Sequence, residues 1–265
     1  MSHARVRRRY VDCAWGQLHL AEAGSGPAVL LLHQTPRSWD EYREVLAVLG
    51  RRFRVLAVDT PGMGASDPLP EPPTVEGWAA AMARLLEIEG LDRVDVVGHH
   101  TGGYIAFELA AQAPERVRRV VLSSTDLLDA GARGARTGRR GVDEVEERGD
   151  GSHLAELWQR RARYYPPDNR LLRRFMRDAL RTEDPEDGHR VVARYEMERR
   201  LDRVRQPVLC VGHARDRFAF GGQDRLAAAL ADARVRVIHD GEIPLEHTAA
   251  EFAEIVTEFL SAHHV

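Results

Sequence analysis

The stretch VDVVGHHTGGYIAFELA, Val94 to Ala110, decides the fold. An apolar run stops at Gly98, passes His99, His100 and Thr101, meets Gly102 and Gly103, and continues with apolar residues at helical spacing. That order is the grammar of a strand, a sharp turn and a helix. A turn this tight projects its apex residue, here His100, over the end of a sheet, and the small neighbours relieve the crowding. The N–H of Thr101 opens the helix beside that spot, where the helix dipole favours negative charge.

Outward from the turn, short apolar runs alternate with helical patterns, the signature of a parallel sheet covered by helices. RRYVDCAWGQLHLAEAG reads as an opening hairpin, AVLLLH (28–33) as a central strand and RVLAVD as the next one. SWDEYREVLAVLG places Trp39, Tyr42, Val45, Leu46 and Leu49 at helical spacing, with Gly50 as a stop. TVEGWAAAMARLLEIEGL is an amphipathic helix, and RVRRVVLSS is the strand after the turn's helix. Strand character then lapses between about Asp126 and Arg205, in an arginine-rich helical stretch whose DAGARGARTGRRGVDEVEERGDGS is expected to be a mobile loop. It resumes with PVLCVGHARD and ARVRVIHD before a closing helix, AAEFAEIVTEFLSAH. The expected division is a core of residues 1–126 and 206–265 around a helical insertion, 127–205.

Composition narrows the function. With 265 residues and 43% hydrophobic content the chain can fill one sizeable core. Its 38 basic and 41 acidic residues leave a formal charge of −3, which gives no field to recruit nucleic acid or an anionic membrane surface. A small-molecule ligand is the expectation, and oligomeric state is not visible. Cys13 and Cys210 are far apart and lack metal-ligand spacing. No apolar run is long enough to span a bilayer, so a cytoplasmic protein is expected. Neither a dinucleotide nor a phosphate-loop signature occurs, so no cofactor and no metal are expected.

Three motifs now stand in order: LLLHQTP, VDTPGMGASD and VGHHTGG. Together, with an insertion and two late strands behind them, they resemble the α/β-hydrolase superfamily over nearly the whole chain. The resemblance implies an α/β-hydrolase fold: a mostly parallel sheet flanked by helices, with a helical cap. It makes VGHHTGG the nucleophile elbow, with His100 where the family carries serine. It pairs the N–H of Thr101 with that of Thr35 as an oxyanion hole, and puts Gln34 in place of a usual glycine, as ligand contact or loop prop. The family's acid falls on Asp216. Asp126 stands where some relatives carry an alternative acid, or caps the next segment. The base position is vacant: Gly241 stands where a histidine is expected, leaving His239 as the nearby substitute and Glu242 as a neighbour able to reach in.

An imidazole at the apex needs no helper base, because its unperturbed pKa of roughly 6.5 leaves it largely neutral at pH 7. His100 can thus be nucleophile or general base in a hydrolase of esters, lactones or activated acyl groups. It can instead move a proton on a carbonyl substrate, as in a lyase, decarboxylase, isomerase or cyclase, or the site can only bind. His99 and His33 read as hydrogen-bonding supports, and Asp59 as the anchor of its loop. Trp39, in the core or the pocket, and Trp158 and His189, in the insertion, are candidate substrate contacts. One inward arginine of the insertion is expected to meet an anionic group on the ligand.

Overall fold

The structure, a computed structural model, describes residues 5–136, 138, 140–165, 169–216, 219, 221–241 and 243–262. Eight strands form one sheet in the order β1-β2-β4-β3-β5-β6-β7-β8. The hairpin β1 (Arg7–Cys13) and β2 (Gly16–Ala23) is antiparallel, and β2 meets β4 (Arg54–Val58) antiparallel as well. From β4 onward every pairing is parallel, through β3 (Ala28–Leu32), β5 (Val94–His99), β6 (Val117–Ser123), β7 (Val208–His213) and β8 (Ala233–Ile238). The central strands β3, β5 and β7 are buried along their whole length, which is why they read as unbroken apolar runs. Edge strand β8 alternates in exposure instead.

Helices cover both faces. Helices α2 (Val75–Ile88) and α3 (Thr101–Gln112) bury Trp78, Met82, Leu85 and Phe107 on one side, together with Leu226 of α8 (Gln223–Ala228). On the other side α1 (Arg43–Leu49) and α9 (Ala249–Ser261) bury Leu46, Leu49, Phe252, Val256 and Phe259. Thr74 caps α2 by accepting a hydrogen bond from Gly77 N–H at 2.9 Å. The expected start of α1 is late by one turn: Trp39–Tyr42 is a 3-10 turn capped by Ser38, and its first N–H donates to Asp59 Oδ1 at 2.6 Å.

Between β6 and β7 the described residues form no strand. They carry α4 (Ala130–Arg136), α5 (Ser152–Ala162), α6 (Asn169–Ala179) and α7 (Asp187–Arg194). A small apolar cluster of Leu157, Leu172, Phe175, Met176 and Ala179 holds α5 and α6 together. The segment read as a mobile loop is corrected in part: it opens with α4, and beyond it Asp143 is fully buried and gripped by Arg161. A polar tract reads as loose when its ionic partners are far off in sequence. Among the described residues, no helix is long and apolar enough to cross a membrane.

Candidate active site

The turn from β5 into α3 sets the site. His100 has φ 47° and ψ −113°, a left-handed conformation that costs a non-glycine residue about 1–3 kcal/mol. Its N–H donates to Ser123 O and its own carbonyl accepts from Gly103 N–H, both at 2.9 Å, so the turn is held from both sides. Side chains are excluded around it: a Cβ on Gly102 would lie 2.0 Å from Leu32 O, and one on Gly98 2.1 Å from Gly102 O.

The His100 ring reaches the loop after β7, where its Nε2 lies 2.9 Å from Asp216 Oδ2. Asp216 is 2% exposed in its side chain and His100 18%, so the carboxylate is buried behind a partly open imidazole. Burial alone would lower the His100 pKa, but the Asp216 charge and hydrogen bond outweigh it and raise the pKa above its ordinary value. With Nε2–H turned toward the carboxylate, the lone pair of the neutral ring falls on Nδ1. Asp126 lines the same pocket and adds a smaller push in the same direction. At the start of the next helix, Asp129 Oδ1 accepts from Ala132 N–H at 2.8 Å.

Thr35 and Thr101 are 1% and 4% exposed, and the backbone N–H of neither makes a hydrogen bond among the described residues. Donors without acceptors suit a site for developing negative charge, and of the two Thr101 lines the pocket while Thr35 does not. Gln34 lines it as well. Gln34 is committed to its loop: its backbone N–H donates to Glu41 Oε2 at 2.9 Å and its side-chain amide to Glu41 Oε1.

Among the described residues, the loop after β8 brings no base to the pocket. Gly241 has φ +83°, and a Cβ there would lie 2.4 Å from Thr248 Cγ2, so a histidine does not fit this backbone. His239 is exposed past the end of β8 and is absent from the pocket lining. Glu242 lies outside the described residues.

Below the apex, His99 Nδ1 and His213 Nε2 meet Ser123 Oγ at 3.0 and 3.1 Å. Burial, with His100 beside it, lowers the His99 pKa, and burial holds His213 at about 4, so two neutral rings support the apex. His33 spans its loop from Gln34 O at 2.7 Å to Thr60 N–H at 3.0 Å. Asp59 anchors the neighbouring loop through Trp39 N–H and Ala65 N–H.

A cavity of about 410 Å³ opens over His100, walled by Arg140, Arg161, Glu186 and His189 of the helical insertion. Trp39 and Trp158 are not part of its lining: Trp39 lies under Arg43, 5.4 Å from its guanidinium, and Trp158 packs on the α5–α6 cluster. Each lining arginine is engaged by an acidic partner, Arg161 by Asp143, Arg140 by Glu156 and Arg190 by Asp184. Sequence reading missed Ser124 in the lining, with φ 48° and a buried Oγ that has no partner among the described residues, and Asp143 and Glu186 beside His189. Ligand atoms of these last three lie within 4.8 Å of one another, a set able to hold a divalent cation, although Arg161 already supplies positive charge there.

Comparison with known proteins adds a family. The family model described as the alpha/beta hydrolase fold matches residues 27–242. Bifunctional epoxide hydrolase 2 of Sus scrofa is 39% identical over 118 residues, which is 42% of this chain and 21% of that protein. Haloalkane dehalogenase 2 of Mycobacterium tuberculosis is 34% identical over 118 residues, 44% of this chain and 41% of its own length. Among solved structures, a hydrolase from Pseudomonas aeruginosa superposes with a TM-score of 0.78 at 22% identity, covering 96% of this chain and 98% of the other. The enol-lactonase from Burkholderia xenovorans LB400 gives 0.73 at 21%, covering 96% and 100%.

Proposed function

The chain belongs to the α/β-hydrolase fold family, and from that premise we propose that it hydrolyses a small ester or lactone with the His100–Asp216 pair as general base. The observation that carries this reading is the 2.9 Å contact between an imidazole at the strained apex and a buried carboxylate. Relatives named as epoxide hydrolase and haloalkane dehalogenase support the hydrolytic class.

In this reading the substrate carbonyl oxygen rests on the N–H groups of Thr35 and Thr101. His100 Nδ1 takes a proton from water as the water oxygen bonds to the carbonyl carbon, and Asp216 stabilises the imidazolium that results. The negative charge on the carbonyl oxygen is met by the two N–H donors, and collapse of the intermediate expels the alcohol. One residue thereby does the work that serine and histidine divide elsewhere in the family. The helical insertion serves as the cap that walls the substrate in.

The test is hydrolysis in ¹⁸O-water with the protein's mass followed during turnover. One heavy oxygen in the acid product, with no mass added to the protein, is the expected result. An adduct at His100 makes the imidazole a nucleophile instead, and turnover without heavy oxygen favours lyase or isomerase chemistry. His100→Gln is expected to lower kcat by about 10²–10⁴, the worth of a positioned general base. The neutral ring is the active form and its pKa is raised, so the rate falls as pH drops through that raised value. Asp216→Asn moves the fall to lower pH, and a profile that rises toward acid rejects the base role.

A further inference from the structure

Resting on that hydrolytic reading, we propose that His189, backed by Asp143, is a second acid–base group of the same pocket and protonates the leaving alcohol. His189 Nε2 lies 3.3 Å from Asp143 Oδ2, so a second histidine–aspartate pair faces the cavity from the insertion. The two pairs are built alike. In each the carboxylate is buried and the imidazole is partly open, with Asp143 0% and His189 35% exposed in their side chains. Asp143 is also fixed in place: Arg161 grips both of its oxygens, and its N–H donates to Glu186 Oε2 at 2.8 Å. Asp143 and Glu186 together face the single Arg161 guanidinium, so the cluster has a negative charge to set against a proton on His189.

Position favours the role. A Cβ on Gly188 would lie 2.1 Å from Thr35 Oγ1, so the helix that carries His189 is pressed against the loop of the proposed oxyanion donor. His189 Nδ1 has no hydrogen-bond partner among the described residues. Among the described residues of the loop after β8, Gly241 excludes a side chain and His239 is exposed and absent from the pocket lining.

The step balances as follows. As the tetrahedral intermediate collapses, the bond from carbon to the alcohol oxygen breaks and its electron pair goes to that oxygen. The proton of the His189 imidazolium caps it, while the oxyanion's pair restores the carbonyl. His100 then gives its proton to solvent and His189 takes one back.

A general acid matters in proportion to how poor the leaving group is. The experiment compares ethyl butyrate with p-nitrophenyl butyrate in the wild type, His189→Gln, Asp143→Asn and His100→Gln, with folding checked by circular dichroism. His189→Gln is expected to lower kcat/KM about 100-fold for the ethyl ester and under about 5-fold for the nitrophenyl ester. Asp143→Asn should show the same selectivity at about 10-fold, and His100→Gln should lose both substrates equally. Equal losses on both esters in His189→Gln reduce the residue to a pocket wall and overturn the proposal while leaving His100 untouched. Full activity in His100→Gln instead overturns the function proposed above, and a wild type inactive on both esters overturns both. Thermal stabilisation by Mn²⁺ or Zn²⁺ that disappears in His189→Gln assigns the cluster to a cation and also overturns it.

Discussion

The sheet and the α5–α6 part of the helical insertion are held together by different forces. Around the sheet the interior is apolar, with Trp78, Phe107, Leu30, Leu31 and Phe252 at 2% exposure or less. The α5–α6 part of the insertion has five buried apolar residues in its own cluster and meets the core through charge, whereas Val191, Val192, Tyr195 and Met197 pack into the main core. Arg174 reaches Asp40 and Glu44 of the core, Arg37 of the core reaches Asp178 of α6, and Arg161 holds Asp143. The wall that carries His100 thus stands on packing, as does α7 through Val191 and Val192, while α5 and α6 are tied to their surroundings by ion pairs. Packing fixes geometry over a wide range of pH and salt, whereas ion pairs respond to both.

The largest effect that sharpens this contrast is a cavity in the core. Phe107→Ala should cost about 4 kcal/mol in urea denaturation, within the range for a fully buried phenylalanine. Phe175→Ala, in the insertion's small cluster, should instead raise amide exchange in α5 and α6 and leave the sheet's protection unchanged. Global unfolding by both variants to the same extent breaks the comparison.

Next in size is the joint between the two halves. Arg37 is fully buried, with its guanidinium 2.7 Å from Glu246 Oε1, 3.2 Å from Asp178 Oδ2 and 3.6 Å from Glu41 Oε1. Arg37→Met leaves three buried carboxylates together, an uncompensated charge worth about 3 kcal/mol. Denaturation should register that loss, and proteolysis should cut first within 130–203. A neutral effect on both measurements means the insertion is not clamped there.

The difference between the halves is also a difference in what the sequence discloses. The elbow is legible because its determinants are contiguous: an apolar strand, glycines at 98, 102 and 103, and a helix. Asp216 is placed by its distance past a strand, a relation the fold makes regular. The pairs of the insertion obey no such register. His189 and Asp143 are 46 residues apart and Arg37 and Asp178 are 141 apart, so only the folded chain brings them together. Trp39 and Trp158 show the converse limit, since an aromatic on an amphipathic turn looks the same whether it lines a pocket or packs beneath one. The strain at His100 was legible from geometry, but the reach of its ring to Asp216 needed the structure.

The smallest effect tests whether the ionic joint senses pH near neutrality. Burial, reinforced by the neighbouring Glu41 charge and opposed by Arg37, pushes the Glu246 carboxyl up from its ordinary 4.5 to about 7. The folded chain therefore holds a proton there that the unfolded chain releases between pH 4.5 and 7. A proton held more tightly by the folded state stabilises it, so this contribution is complete below pH 4.5 and is lost as pH rises through about 7. Glu246→Gln keeps an oxygen for Arg37 and cannot ionise. Measured against that variant, the wild type should lose about 1–2 kcal/mol of stability across the window, less than an isolated carboxyl would, because Arg37 rewards the charge as it forms. Wild-type and Glu246→Gln curves that run parallel across it would mean that Arg37 already holds Glu246 ionised, and that the joint is a permanent ion pair.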